Sequence, residues 1–134
     1  MRLLLDTHVV LWQLGGDRVL PENAAAAIGE AEGLHYSAVS FAEIGIKVAV
    51  GKLTVPERLR EQVQQAGAQI LGLTPEHGLR VAELPLHHRD PFDRLLIAQA
   101  LCEGLAIVTA DSRFADYDVP LVPAADFSRR PRRA

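Results

Sequence analysis

The sequence predicts an α/β fold, a three-layer sandwich with a mainly parallel central sheet flanked by helices, and three observations carry that expectation. Two short, wholly apolar runs, LLL at 3–5 and AIVT at 106–109, read as strands buried on both faces, as a parallel sheet requires. Helical stretches separate the strand candidates, so the two element types alternate along the chain. Four of those stretches follow a proline, at Pro21, Pro56, Pro75 and Pro91, a residue suited to the first helical turn.

Taken in order, the strand at 3–5 ends at Asp6 and a helix is predicted over 22–32, ENAAAAIGEAE. HYSAV at 35–39 is a weaker strand, followed by helices over 41–50 and 57–66. QILGL at 69–73 is a third strand candidate, then come helices over 76–83 and 92–103. AIVT at 106–109 and VPLV at 119–122 complete the sheet. No internal repeat or linker interrupts the 134 residues, a length that suits one domain. That domain is expected to span 1–128, with 129–134 a basic, disordered tail.

With 49% hydrophobic and 23% charged residues the composition is that of a soluble globular protein. No apolar run approaches the roughly 20 residues that span a bilayer, so no membrane association is expected. The opening MRLLLDTH reaches an acid after three leucines and lacks the features of a signal peptide. The single Cys102 allows no internal disulfide, which fits a reducing, cytoplasmic setting. Of the 14 basic residues, four are Arg129, Arg130, Arg132 and Arg133, so residues 1–128 carry 10 against 17 acids, a balance of −7. Such a body does not grip nucleic acid through its own general charge. It needs metal cations, a local basic patch or the arginine tail.

Ligands of open parallel sheets bind beyond the carboxyl ends of the strands, where strand order reverses. Asp6 and Asp111 each follow a strong strand candidate. Either alone reads equally as a cap of the next helix; two in equivalent positions point to a site. Glu43 lies in a helix that is apolar on most sides (Phe41, Ala42, Ile44, Ile46, Val48, Ala49), which marks the helix as largely buried. Ser40 and Glu43 are also spaced as a capping box. In HHRDPFDRLLIAQAL, Asp90 is placed as N-cap, Pro91 as first helical residue and Asp93 as third, ahead of a nearly wholly apolar helix.

Carboxylates gathered in this way repel one another and raise each other's pKa unless a cation joins them. All-oxygen ligation favours a hard ion such as Mg²⁺ or Mn²⁺, which activates water and neutralises charge on a phosphodiester. Zinc is less favoured, because His87 and His88 are adjacent rather than at helical ligand spacing and the lone cysteine offers no cluster. On this reading His8, His87 and His88 are structural or exposed.

With LLLDTH at the start, Ser40–Glu43, HRDPFDRLLIAQA at 88–100 and VTADSRF at 108–114, the whole chain resembles the PIN-domain family. Within it, the chain is similar to the VapC-type ribonuclease toxins of bacterial toxin–antitoxin pairs. The resemblance carries the family's acidic quartet onto Asp6, Glu43, Asp93 and Asp111 as catalytic and metal-holding residues, with Thr7 and Thr109 as supporting hydroxyls. Asp93 matches rather than Asp90 because it directly precedes the apolar helix, and Asp116 lies where some relatives have a further acid. The resemblance implies a homodimer, Mg²⁺- or Mn²⁺-dependent cleavage of RNA, and inhibition by a cognate antitoxin.

Other classes fit less well. A receiver domain needs a lysine after a late strand, and the only lysines are Lys47 and Lys52. A haloacid-dehalogenase-type phosphatase needs an acid two residues after Asp6, where His8 stands. Neither GxGxxG nor a P-loop occurs. The alternative is a catalytically inactive PIN-like module that binds RNA or protein.

Overall fold

In the computed structural model, which describes residues 1–15 and 19–129, the sheet is built outward from its first strand. Strand β1 (Arg2–Leu5) pairs on one side with β2 (Gly33–Ser37) and on the other with β4 (Ala106–Thr109). Strand β3 (Gln69–Leu71) adds to β2 and β5 (Leu121–Pro123) adds to β4, giving the order β3-β2-β1-β4-β5. Every pairing is parallel.

The continuous apolar runs of β1 and β4 follow from this position. Side chains alternate between faces along a strand, so Leu4 and Ile107 enter one core with Leu96, Ile97 and Phe114. Leu3, Leu5, Ala106 and Val108 enter the opposite core with Val9, Val10 and Ala24. The helices α1 (Thr7–Gly15) and α2 (Glu22–Glu30) cover that second face, and α6 (Pro91–Glu103) covers the first. The expected three-layer architecture is present.

The boundaries of several elements differ from expectation. The helix α1 was absent from the sequence-based set because THVVLWQLG carries no proline start, and its adjacent valines suit a strand as well as a helix. It forms because Val9 and Val10 are wholly buried against the sheet and the Val10 amide bonds the Asp6 carbonyl at 3.0 Å. Helix α3 runs Ala38–Ala49 rather than 41–50, and β2 accordingly ends at Ser37. Ser37, not Ser40, is its N-cap: the Ser37 hydroxyl accepts from the Val39 amide at 3.0 Å. The capping-box reading of Ser40 and Glu43 is therefore corrected.

Helix α3 is also less buried than its composition suggested. Ser40, Glu43 and Ile44 are inside, whereas Ile46 and, at the C-cap, Val50 are more than half exposed. The remaining helices are α4 (Leu59–Gln65), one turn shorter than predicted, and α5 (Pro75–Arg80), which passes into a 3₁₀ turn at Val81–Glu83. The expected strand at 119–122 is realised at Leu121–Pro123. Of the expected basic tail, 130–134 lie outside the described residues.

Helix α6 has both ends secured. Asp90 accepts from the amides of Phe92 and Asp93 at 2.8 and 3.2 Å, Pro91 is the first helical residue, and Gly104 closes the helix at φ 68°, a left-handed conformation that favours glycine. Buried Arg94 fixes the segment before it. Its guanidinium donates to the carbonyls of Val81, Leu84, Pro85 and His88 and to the Tyr117 hydroxyl, at 2.8 to 3.4 Å. Removing it leaves several buried carbonyls without a donor, each a substantial cost. Arg94→Ala is therefore expected to lose about 3 kcal/mol of stability in denaturant titration, and Arg94→Lys, which lacks the planar fork, to recover only part of it.

Candidate active site

The order of the sheet reverses between β1 and β4, and Asp6 and Asp111 lie just beyond the carboxyl ends of those two neighbouring strands. This is the position at which parallel α/β sheets bind ligands. The Asp6 amide continues the ladder, donating to the Val108 carbonyl at 2.9 Å. The Asp6 carboxylate is buried and held from two sides: the Thr7 amide donates to Oδ1 and the Thr109 hydroxyl to Oδ2, both at 2.7 Å. Burial pushes its pKa up, the Thr109 bond and the His8 charge oppose this, and the charge of Glu43 adds to the rise. Thr7 also ties α1 to α3, its hydroxyl donating to Ser40 Oγ at 2.9 Å.

Helix α3 brings Glu43 to the same place. One carboxylate oxygen, Oε2, accepts from Lys47 Nζ at 2.5 Å one helical turn on. The other, Oε1, is buried and has no hydrogen-bond partner among the described residues. An unsatisfied, buried carboxylate oxygen is costly, and a cation is the partner its chemistry asks for.

Asp93 is the electrostatic centre. Burial first, and then the charges of Asp6, Asp90, Glu43 and Asp111, push its pKa up to about 8. The acids proposed from sequence thus act on one residue in the first turn of α6. Asp93 Oδ2 meets His88 Nε2 at 2.5 Å. Burial and the nearby Arg113 charge push the His88 pKa down, against the opposing charges of Asp111 and Asp90. Ligand atoms of His88, Asp93 and Asp111 all lie within 4.8 Å of one another.

Asp111 is different. It caps a 3₁₀ turn (Ser112–Asp116), Oδ1 accepting from the Arg113 amide at 2.9 Å, so the capping reading holds for it locally. Arg113 also clasps the carboxylate: Nε donates to both oxygens at 3.0 and 3.1 Å and Nη2 to Oδ2 at 2.8 Å. Burial raises the pKa of Asp111, but these bonds outweigh it and hold the carboxyl below its usual range. A cleft of about 420 Å³ lined by Asp6, His8, Trp12, Ala110, Asp111 and Ser112 opens over this end of the sheet.

His88 is the main residue that sequence reasoning set aside. Only its spacing five residues ahead of Asp93 hinted at a contact, and the Arg94 network makes that contact possible. His87 instead stacks edge-on against Tyr117, and Asp116 ends the 3₁₀ turn half-buried. Lys47 was legible as an i,i+4 partner of Glu43, and Arg113 by its nearness to Asp111.

The electrostatics predict a pH dependence whose sign is fixed. In the folded protein Asp93 keeps its proton up to about pH 8, whereas in the unfolded chain it releases it near its ordinary 3.8. Between those values the folded state binds more protons, so stability falls as pH rises. In EDTA, the Tm of the parent should fall between about pH 5 and pH 8.5, and Asp93→Asn should flatten that decline and melt above the parent at the alkaline end. A parent Tm that rises across this window would contradict the raised pKa.

Known proteins of similar sequence and fold place the chain in a family. Ribonuclease VapC22 from Mycobacterium tuberculosis is 31% identical over 126 residues, which cover 88% of this chain and 93% of that protein. The structure of VapBC2 from Rickettsia felis, bound to a DNA fragment from its promoter, superposes with a TM-score of 0.68 at 15% identity, over 92% of this chain and 98% of that one. A toxin–antitoxin complex from Klebsiella pneumoniae gives 0.62 at 18% identity, over 92% and 98%. Residues 3–120 match the signature of the PIN domain, and with the all-parallel sheet and the acids at its switch point, the chain belongs to the PIN-domain family.

Proposed function

We propose that this chain is a divalent-metal-dependent ribonuclease that hydrolyses RNA phosphodiester bonds as the toxin of a toxin–antitoxin pair. The observation that carries the reading is buried Asp93, whose ligand atom lies within 4.8 Å of those of Asp111 and His88 and whose ionisation Asp6, Asp90 and Glu43 also oppose, with Glu43 Oε1 left unpartnered. The donor set is dominated by carboxylate oxygens and fits a hard divalent ion, Mg²⁺ or Mn²⁺, held by Asp6, Glu43, Asp93 and Asp111. Such an ion supplies Lewis acidity toward a phosphodiester and lets water ionise near neutral pH.

The chain's own groups supply the rest. Thr109 and the Thr7 amide orient Asp6, which leaves little freedom for that carboxylate to turn. His88 bonds Asp93, and burial among like charges raises the Asp93 pKa, so Asp93 need not carry full charge beside its neighbours before a cation arrives. In the hydrolysis, water adds to phosphorus and an ester oxygen departs with a proton. A binding-only domain has no use for this concentration of repulsion.

Membership in the PIN family and the ribonuclease relative support the substrate class, and the toxin–antitoxin neighbour supports an antitoxin partner. No described helix is long and apolar enough to cross a membrane. The proposed setting is the cytoplasm, with residues 1–128 acting as one nuclease domain that pairs as a homodimer.

Cleavage of labelled RNA is expected only with Mg²⁺ or Mn²⁺, and to be lost in Asp6→Asn, Glu43→Gln, Asp93→Asn and Asp111→Asn proteins that retain the parental circular dichroism. Asp90→Ala is the internal control. It removes the α6 cap at about 1 kcal/mol and should keep most of the cleavage. Undiminished activity in Asp6→Asn and Glu43→Gln, in protein freed of host nucleases, would sink the proposal and leave a binding module.

A further inference from the structure

Two cations stand at the rim of the acidic site, and each already holds one of its carboxylates. Lys47 reaches Glu43 from α3, its side chain 37% exposed while that of Glu43 is 3% exposed. Arg113 reaches Asp111 from the turn after β4, 59% exposed over a carboxylate at 25%. The charge of each also acts on Asp90 and Asp93, so the two cations flank the same centre from two different elements. Both are long side chains with part of their surface in solvent.

A divalent ion that draws on Glu43 and Asp111 must compete with both. The unpartnered Glu43 Oε1 lets the ion begin on Glu43 before Lys47 yields Oε2, but Asp111 offers no such opening, because Arg113 engages both of its oxygens. Once the ion has neutralised those carboxylates, the ammonium and the guanidinium lose their partners at the mouth of the site. RNA meets there the charge that the rest of the body lacks, since residues 1–128 carry 17 acids against 10 basic residues. A guanidinium fork matches two phosphate oxygens, and an ammonium serves as a point charge for one.

Resting on the ribonuclease reading above, we infer that Lys47 and Arg113 are exchangeable cations, which hold Glu43 and Asp111 against divalent-ion entry and turn to phosphates of the RNA strand when the ion takes those carboxylates. Ion and RNA then favour one another's binding, by an equal factor in both directions.

The two halves of the inference make opposite forecasts for one substitution. In Lys47→Met and Arg113→Met, Mn²⁺ titrated calorimetrically in the absence of RNA should bind more tightly, by about fivefold, the worth of a half-exposed ion pair. In the same proteins KM for a labelled single-stranded RNA at saturating Mn²⁺ should rise about five- to tenfold, with the slope of log KM against log salt reduced by about one per cation removed, and kcat should change less. If either methionine variant fails to fold, Lys47→Arg and Arg113→Lys are read instead: they should keep the parental salt slope, and Arg113→Lys, without the fork, should still bind Mn²⁺ more tightly than the parent.

Unchanged or weakened Mn²⁺ binding in the variants would overturn the competition, and an unchanged KM and salt slope would overturn the phosphate contact. A parent that cleaves no RNA with Mn²⁺ is a different failure. It defeats the ribonuclease reading itself, and is scored on the parent alone.

Discussion

A carboxyl group buried among four others of its kind is a standing electrostatic cost, and Asp93 is in that position. Burial limits its screening by water, and Asp6, Glu43, Asp90 and Asp111 all oppose its ionisation. The fold answers with local partners rather than with distance. His88 bonds Asp93, Thr109 and the Thr7 amide hold Asp6, Lys47 holds Glu43, and Arg113 holds Asp111. Glu43 Oε1 is the one carboxylate oxygen of this group recorded as buried and without a partner.

Those partners depend on elements that pack for other reasons. His88 reaches Asp93 because Arg94 gathers the carbonyls of the preceding segment and Tyr117 bonds the His88 amide at 2.9 Å. Ser37 caps α3 and also donates to Gln99 of α6 at 2.5 Å, so the two helices that deliver Glu43 and Asp93 are joined beneath the site. Gln99 is wholly buried and donates in turn to the Gly72 carbonyl past β3. Polar groups thus connect the core to the site, and each is satisfied by a neighbour that the parallel sheet places there.

Under the proposed function, the same arrangement would reconcile an acidic body with an RNA substrate. Charge on the polyanion would be met by cations concentrated at one place, where the carboxylates would bring in a divalent ion and where Lys47 and Arg113 stand. General basicity of the surface would then be unnecessary. With the inferred exchange, the groups that would favour RNA are the ones that hold the carboxylates before the ion arrives.

What the sequence determined by itself is the part governed by short range. Apolar runs on both faces specified parallel strands, prolines marked the starts of α2, α5 and α6, with α4 beginning three residues after Pro56, and Asp90 and Pro91 were read as N-cap and first helical residue of α6. Aspartates at strand ends, read with the family resemblance, made Asp6 and Asp111 candidates, and the fold places both just beyond the carboxyl ends of neighbouring strands. What only tertiary structure decided is which polar group meets which. Ser37 displaced Ser40 as the cap because the strand before α3 ends two residues earlier than its composition implies, and Ser40 turned inward to Thr7. α1 formed from valines that local preference leaves ambiguous, because burial against the sheet outweighs propensity. His88 joined the site through Arg94 and Tyr117, partners six and twenty-nine residues away. Contacts of that range depend on how the layers stack, and a pattern of neighbours along the chain does not encode them.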